Sequence, residues 1–223
     1  MALLHNATIT PTKIELLSSW VPAQPWFDGE ADATFTNVAA YRFDDPDGEV
    51  GIETILVRAG NGPLLQVPVT YRNAPLAGAD AALIGTTHHS VLGERWVYDA
   101  TGDPVYVAAV ANAALSGGRQ AELVIEIDGE RVVREPTAVV AGSGTDGGVA
   151  VTPPAVGEIG IRQEPGATVV EAGPLRLVVA RALGDDDVLV GRTPAAAVHE
   201  VLAGTWPDQP RLRVLVLVER LEG

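Results

Sequence analysis

Apolar and polar positions alternate in short runs along most of the chain and follow a helical spacing in two places. Ile14, Leu17 and Trp20 recur every third residue and fall on one face of a helix. Thr10-Pro11 ahead of them reads as a cap followed by proline at the first helical position, which predicts a helix to about Trp20. Strands are predicted near 34–43, 50–58 and 64–71, separated by Asp-Pro-Asp-Gly and Gly-Asn-Gly-Pro, the compositions that tight reversals require. That is an antiparallel meander. Asp103-Pro104 opens a second helix by the same cap logic and Gly117-Gly118 closes it. A hairpin is expected next, 121–128 and 131–140 around Gly129-Glu130.

The pattern then breaks. Residues 142–157 read GSGTDGGVAVTPPAVG, with little to bury, and behave as a Gly/Pro-rich linker. Beyond it, strands are predicted at 167–170, 175–182, 188–190 and 211–220, with a short helix at 194–202. The run 211–220 is too apolar for an exposed edge and is expected in the middle of its sheet. No repeat of fixed period occurs. The expected organisation is an α+β domain over 1–141, the linker 142–157, and a smaller, mostly β domain over 158–223.

Composition narrows the function classes. The 223 residues are 47% hydrophobic with a net charge of −14. The aliphatic content argues against disorder, and the acidity against an extended phosphate-neutralising face or an anionic lipid surface. Nucleic acid and membrane are therefore not expected as partners. Cysteine is absent, which removes disulfides, thiolate metal sites and cysteine nucleophiles. The N-terminus has no basic n-region, and no run of about 18 apolar residues occurs, so a soluble cytoplasmic protein is expected. Lys13 is the only lysine.

Few motifs carry chemistry. Residues 142–149 match G-x-G-x-x-G-x-V, the spacing of a phosphate-covering loop. A kinase needs a lysine on a following strand, and none follows; a dinucleotide site needs a helix at once, and none is predicted. A linker explains the glycines better. His88-His89 lack an i,i+4 partner or a nearby thiolate, so they read as loop or core histidines; His5 and His199 are lone. Residues 44–49, DDPDGE, lack the EF-hand spacing and read as a hairpin turn, and Asp185-Asp186-Asp187 as a charged loop. No metal or cofactor is implied. Serine catalysis lacks its G-x-S-x-G elbow. The large aromatics Trp20, Trp26, Phe27, Trp96 and Trp206 suit a core, a sugar-stacking platform or a protein interface.

A resemblance sharpens this picture. Trp20, Gln24, Trp26 and Phe27, then Gln66-Val67-Pro68-Val69, then Val97-Tyr98-Asp99-Ala100 through the helix to Gly118, are similar in type and order to the maltokinase N-terminal cap domain. The likeness spans roughly 10–140. It implies a small α+β domain, an antiparallel sheet curved around a helix, which in that family is joined to a two-lobed kinase that phosphorylates maltose with ATP. A fainter likeness follows: Ala167-Thr168-Val169-Val170 and Arg176-Leu177-Val178-Val179-Ala180 resemble kinase N-lobe strands, with Ala180 at the position of the ATP-holding lysine. The last strand resembles the entry to the hinge, and no H-x-D, Y-x-D or D-F-G occurs.

Phosphoryl transfer is mostly positioning and charge neutralisation by lysine and metal ions. A strongly negative chain without that lysine is expected to be inactive as an isolated kinase. Three functions stay open. The first is a non-catalytic accessory protein acting on a protein partner in maltose, trehalose or α-glucan metabolism, with an apolar patch expected around Trp26-Phe27 or Trp206. The second is a small-molecule binder, of an oligosaccharide or nucleotide, in which Trp20, Gln24, Trp26, Phe27 and Trp206 are the candidate binding residues. The third is a kinase half completed in trans by a separate C-lobe. An N-terminal hairpin edge is equally suited to a homodimer.

Overall fold

The computed structural model describes residues 2–4, 7–127, 130–145, 150–184, 189 and 199–221. In chain order the elements are β1 (Ala2–Leu4), β2 (Ile9–Thr10), α1 (Lys13–Trp20), β3 (Phe35–Phe43), β4 (Gly51–Ala59), β5 (Leu64–Arg72), β6 (Leu83–His89), β7 (Gly93–Asp99) and α2 (Pro104–Ser116). They continue with β8 (Leu123–Ile127), β9 (Glu130–Arg134), β10 (Val139–Gly142), β11 (Ile159–Glu164), β12 (Ala167–Ala172), β13 (Leu175–Ala180), β14 (Ala182–Leu183), β15 (His199–Trp206) and β16 (Gln209–Arg220).

The first sheet runs β2-β6-β7-β5-β4-β3 and is antiparallel throughout. α1 touches both β3 at one edge and β6 towards the other, which is geometrically feasible only because the sheet curls around the helix. Leu17 and Val21 enter the enclosed core with Trp26, Phe35, Ile55, Val57, Val67 and Val97. This is the α+β cap architecture expected from the sequence: a curved antiparallel sheet around a helix, followed by further β-structure. A six-stranded antiparallel sheet, β10-β15-β16-β13-β12-β11, forms the later part, and a small β1-β8-β9 sheet stands beside them.

α2 lies between the two large sheets. Tyr106, Val107, Val110, Ala111, Ala113 and Ala114 share one core with Tyr41, Ile52 and Leu56 of the first sheet and Val170, Leu177, Leu202 and Leu215 of the second. A helix covered on several sides needs apolar residues around most of its circumference, and α2 has them. Asp103 caps it at its start and Gly117 ends it at φ 70°.

The two large sheets also exchange strands. β10 runs into the start of the 142–157 stretch yet pairs with β15 of the second sheet, and β14 follows that stretch yet pairs with β5 of the first. Gly142 belongs to β10, and an added Cβ there would stand 1.9 Å from the Ala113 carbonyl oxygen. A Cβ on Gly144 would stand 2.0 Å from that of Leu115. Those glycines let the chain run against the end of α2, where Gly144 N–H donates to the Ala114 carbonyl. Asn112 then holds Val151 through two hydrogen bonds.

Several sequence expectations change. The first helix begins at Lys13 with Thr12 as its cap; Thr12 and Glu15 form a reciprocal capping box, so Thr10-Pro11 lies ahead of the cap rather than forming it. The hairpin expected through 140 ends at Arg134, because Val139 and Val140 join the second sheet. The strand expected over 175–182 breaks at Arg181, where the chain crosses from one sheet to the other. His199–Leu202 is strand rather than the end of a helix; the rest of that expected helix, the strand 188–190 apart from Leu189, His5, Asp185-Asp186-Asp187 and part of the glycine motif lie outside the described residues. β16 is central, between β15 and β13, as its hydrophobicity requires.

A candidate binding site at the joint between the sheets

Strand β7 delivers Asp99 to the joint, where its carboxylate caps the following turn by accepting from the Thr101 N–H. Arg181, at the crossing between β13 and β14, meets it. Its Nη2 donates to both Asp99 oxygens at 2.8 and 2.6 Å and to Thr101 Oγ1 at 3.2 Å, and its Nε donates to Thr168 Oγ1 at 2.7 Å. Thr168 in turn donates its hydroxyl to Gln163 Oε1. Arg181 is fully buried and its guanidinium lies 4.9 Å from the centroid of the Trp26 ring, a cation–π stack in a dry setting. Beside it, Gln66 Nε2 donates to the Ala180 and Leu215 carbonyls while its Oε1 accepts from Tyr41. One side chain of the first sheet thus satisfies backbone groups on two strands of the second.

A cavity of about 300 Å³ opens at this joint. Trp20 and Gln24 line it from the end of α1, Asp99 and Thr101 from β7 and its turn, and Gln163 from β11. Val156, Ile159 and Ile161 add aliphatic walls. Gln24 is fixed in place because its Nε2 donates to the Trp20 carbonyl.

The aromatics expected to bind are distributed unevenly. Trp20 and Gln24 are half-buried and line the cavity. Trp26 is 2% exposed and stands behind Trp20, ring centroids 5.9 Å apart. Phe27 is half-buried against Phe35 in the first core, and Trp206, also half-buried, packs on the core around α2. Trp96 is half-buried on β7. The sequence pointed at Trp20 and Gln24 but missed Thr101, Gln163 and Arg181. Only an arginine closing the apolar run 177–180 could have signalled the last of these.

A second polar cluster lies within the first sheet. Lys13 donates to both oxygens of Glu53, Arg42 approaches at 3.2 Å, and Tyr71 donates its hydroxyl. Burial alone would raise the Glu53 pKa, but Arg42, Lys13 and the hydrogen bonds from Lys13 and Tyr71 hold it down at about 2. The single lysine of the chain is therefore committed to a structural carboxylate. Burial, and then the Glu53 charge, push the Tyr71 hydroxyl well up.

The remaining motifs have local roles. Asp45 accepts from the Asp47, Glu49 and Val50 N–H groups, which makes residues 44–49 the hairpin turn that was expected. His88 and His89 lie on strand β6 rather than in a loop or core, and His89 Nδ1 accepts from two N–H groups of the turn after it. Among the described residues, no group of three His, Cys, Asp or Glu could hold a metal ion, and no helix is long and apolar enough to cross a membrane.

No curated protein matches the chain. The family model that does match is the maltokinase N-terminal cap domain, over residues 20–103, from Trp20 of the cavity wall to the Asp103 cap of α2. Residues 20–103, which carry the Trp20–Phe27 segment and most of the curled sheet, are thus similar to the maltokinase N-terminal cap domain.

Proposed function

We propose that this is a non-catalytic, cytoplasmic accessory protein that acts on a protein partner in maltose, trehalose or α-glucan metabolism. The observation that carries the reading is the environment of Ala180. In protein kinases a glycine-rich loop covers the phosphates and a lysine on the third strand holds them. Here β11, β12 and β13 form a meander, and β16 of the following hairpin pairs with β13, a connectivity that supports the N-lobe resemblance. Yet β11 and β12 are joined by the tight turn Pro165-Gly166, which has no room to cover a phosphate. Ala180 is buried among Ala167, Val169, Val178 and Leu217. The neighbouring cation, Arg181, is fully buried against Asp99. The same features weigh against a kinase half completed in trans.

The apolar surface that a partner needs is not at Trp26. β9, an edge strand, is exposed along its length, with Val132 and Val133 at 42% and 58% although adjacent strand residues face opposite ways. Valines on both faces of a hairpin invite a cover. Gentle affinity recovery of the tagged protein from its host is expected to bring down one enzyme of glucan or trehalose metabolism in stoichiometric amount. The Val132→Glu/Val133→Glu variant is expected to lose it while unfolding at the same temperature. Recovery of nothing above background would end the partner reading, and saturable Mg-ATP binding would end the non-catalytic one.

A further inference from the structure

We infer that the cavity at the joint is a binding site for a single neutral polyhydroxylated ring, a sugar or cyclitol unit. The inference stands on the cavity alone and does not depend on the partner reading.

Charge excludes the ionic ligands first. The carboxylate in the wall, Asp99, is already neutralised by the buried Arg181 behind it, so the wall offers neither an uncompensated anion to a cation nor a cation to an anion. The other polar wall groups are uncharged: Gln24, Thr101 and Gln163. Both hydrogen-bonding senses are on offer. Gln24 uses its Nε2 on the Trp20 carbonyl, which leaves Oε1 to accept; Gln163 uses its Oε1 on Thr168, which leaves Nε2 to donate. A hydroxyl is the group that answers both.

Shape points the same way. The polar groups come from three separate elements, the end of α1, the turn after β7, and β11, and so approach a ligand from different sides. Hydroxyls radiating around a saturated ring meet that arrangement, whereas a flat heterocycle presents its donors and acceptors along one edge. Trp20 and the aliphatic residues Val156, Ile159 and Ile161 supply apolar wall for the C–H faces. About 300 Å³ sits at the small end of ligand cavities and suits one ring. The wall is also held rigidly, since Asp99, Thr101, Thr168 and Gln163 belong to one hydrogen-bonded chain through Arg181.

The test is calorimetric titration of the intact chain with glucose, maltose, myo-inositol, adenosine and inorganic phosphate. Two variants accompany it. Gln163→Glu keeps the acceptor that Thr168 needs but removes the donor; Ala81→Trp, on the exposed rim, fills the mouth without touching the core. Saturable binding of a neutral polyol is expected, weakened roughly tenfold or more in each variant at unchanged unfolding temperature. The inference is overturned if no polyol saturates, if only adenosine or phosphate binds, or if both folded variants bind as well as the parent.

Discussion

Two of the buried ionic clusters among the described residues do different jobs. The Lys13–Glu53–Arg42 cluster lies within the cap sheet and ties α1 to it; the side chain of Lys13 is still 30% exposed. The Asp99–Arg181 cluster joins residues on either side of the 142–157 stretch, and its arginine is wholly enclosed. The first cluster is local and within reach of solvent, so protons can tune it. The second is a joint between sheets, where desolvation makes each partner depend on the other. The cavity lies against the second, which means that the proposed site exists only while the two sheets are docked.

The sharpest way to break this contrast is Arg181→Met. Leaving Asp99 buried without its partner is expected to cost about 3–5 kcal/mol in chemical denaturation. Asp99→Leu/Arg181→Met should recover much of that loss, because both desolvation penalties disappear together. A single-variant cost no greater than that of a surface substitution would show that the shared core alone holds the joint.

Glu53→Gln probes the other cluster. A carboxyl held at about 2 in the folded chain against 4.5 for its ordinary value contributes stability that is full above about 4.5. That contribution fades as pH falls through the folded value, and it is on the order of 3 kcal/mol. Denaturation between pH 5 and pH 2 should therefore steepen in the parent relative to Glu53→Gln, with little difference in slope above that window. A parallel pH profile for the two proteins would remove Glu53 from the account.

Smaller effects sharpen the picture. Gly142→Ala forces a methyl group onto the Ala113 carbonyl and is expected to cost about 1–3 kcal/mol, against almost nothing for a glycine in a true flexible linker. Thr12→Ala removes the capping box and should cost about 1 kcal/mol, while Thr10→Ala should leave thermal unfolding nearly unchanged.

Legibility in the sequence followed how local each signal was. The meander β3–β5 was read almost to the residue because Asp45, Gly48 and Gly62 declare their turns nearby in the chain. β6 and β7 were missed because the exposed Thr86, His88 and Glu94 break the apolar alternation. The site divided in the same way. Trp20 and Gln24 stood out as part of a compact motif, while Gln163 matters only because Thr168 and Arg181 bring it to Asp99, a residue far away in sequence.

The curl of the sheet around α1 was what the family resemblance implied; by itself the sequence determined the antiparallel meander β3–β5, the central place of β16 and both helices. Each of these is written in turn residues, caps or apolar runs that act over a few positions. Only the tertiary structure decided that β10 and β14 cross between sheets, that the glycines at 142 and 144 pack against α2, and that Arg181 closes on Asp99 around a cavity. Those outcomes depend on satisfying buried charges and backbone groups between segments far apart in the chain, and no local pattern specifies which distant group will be there to do it.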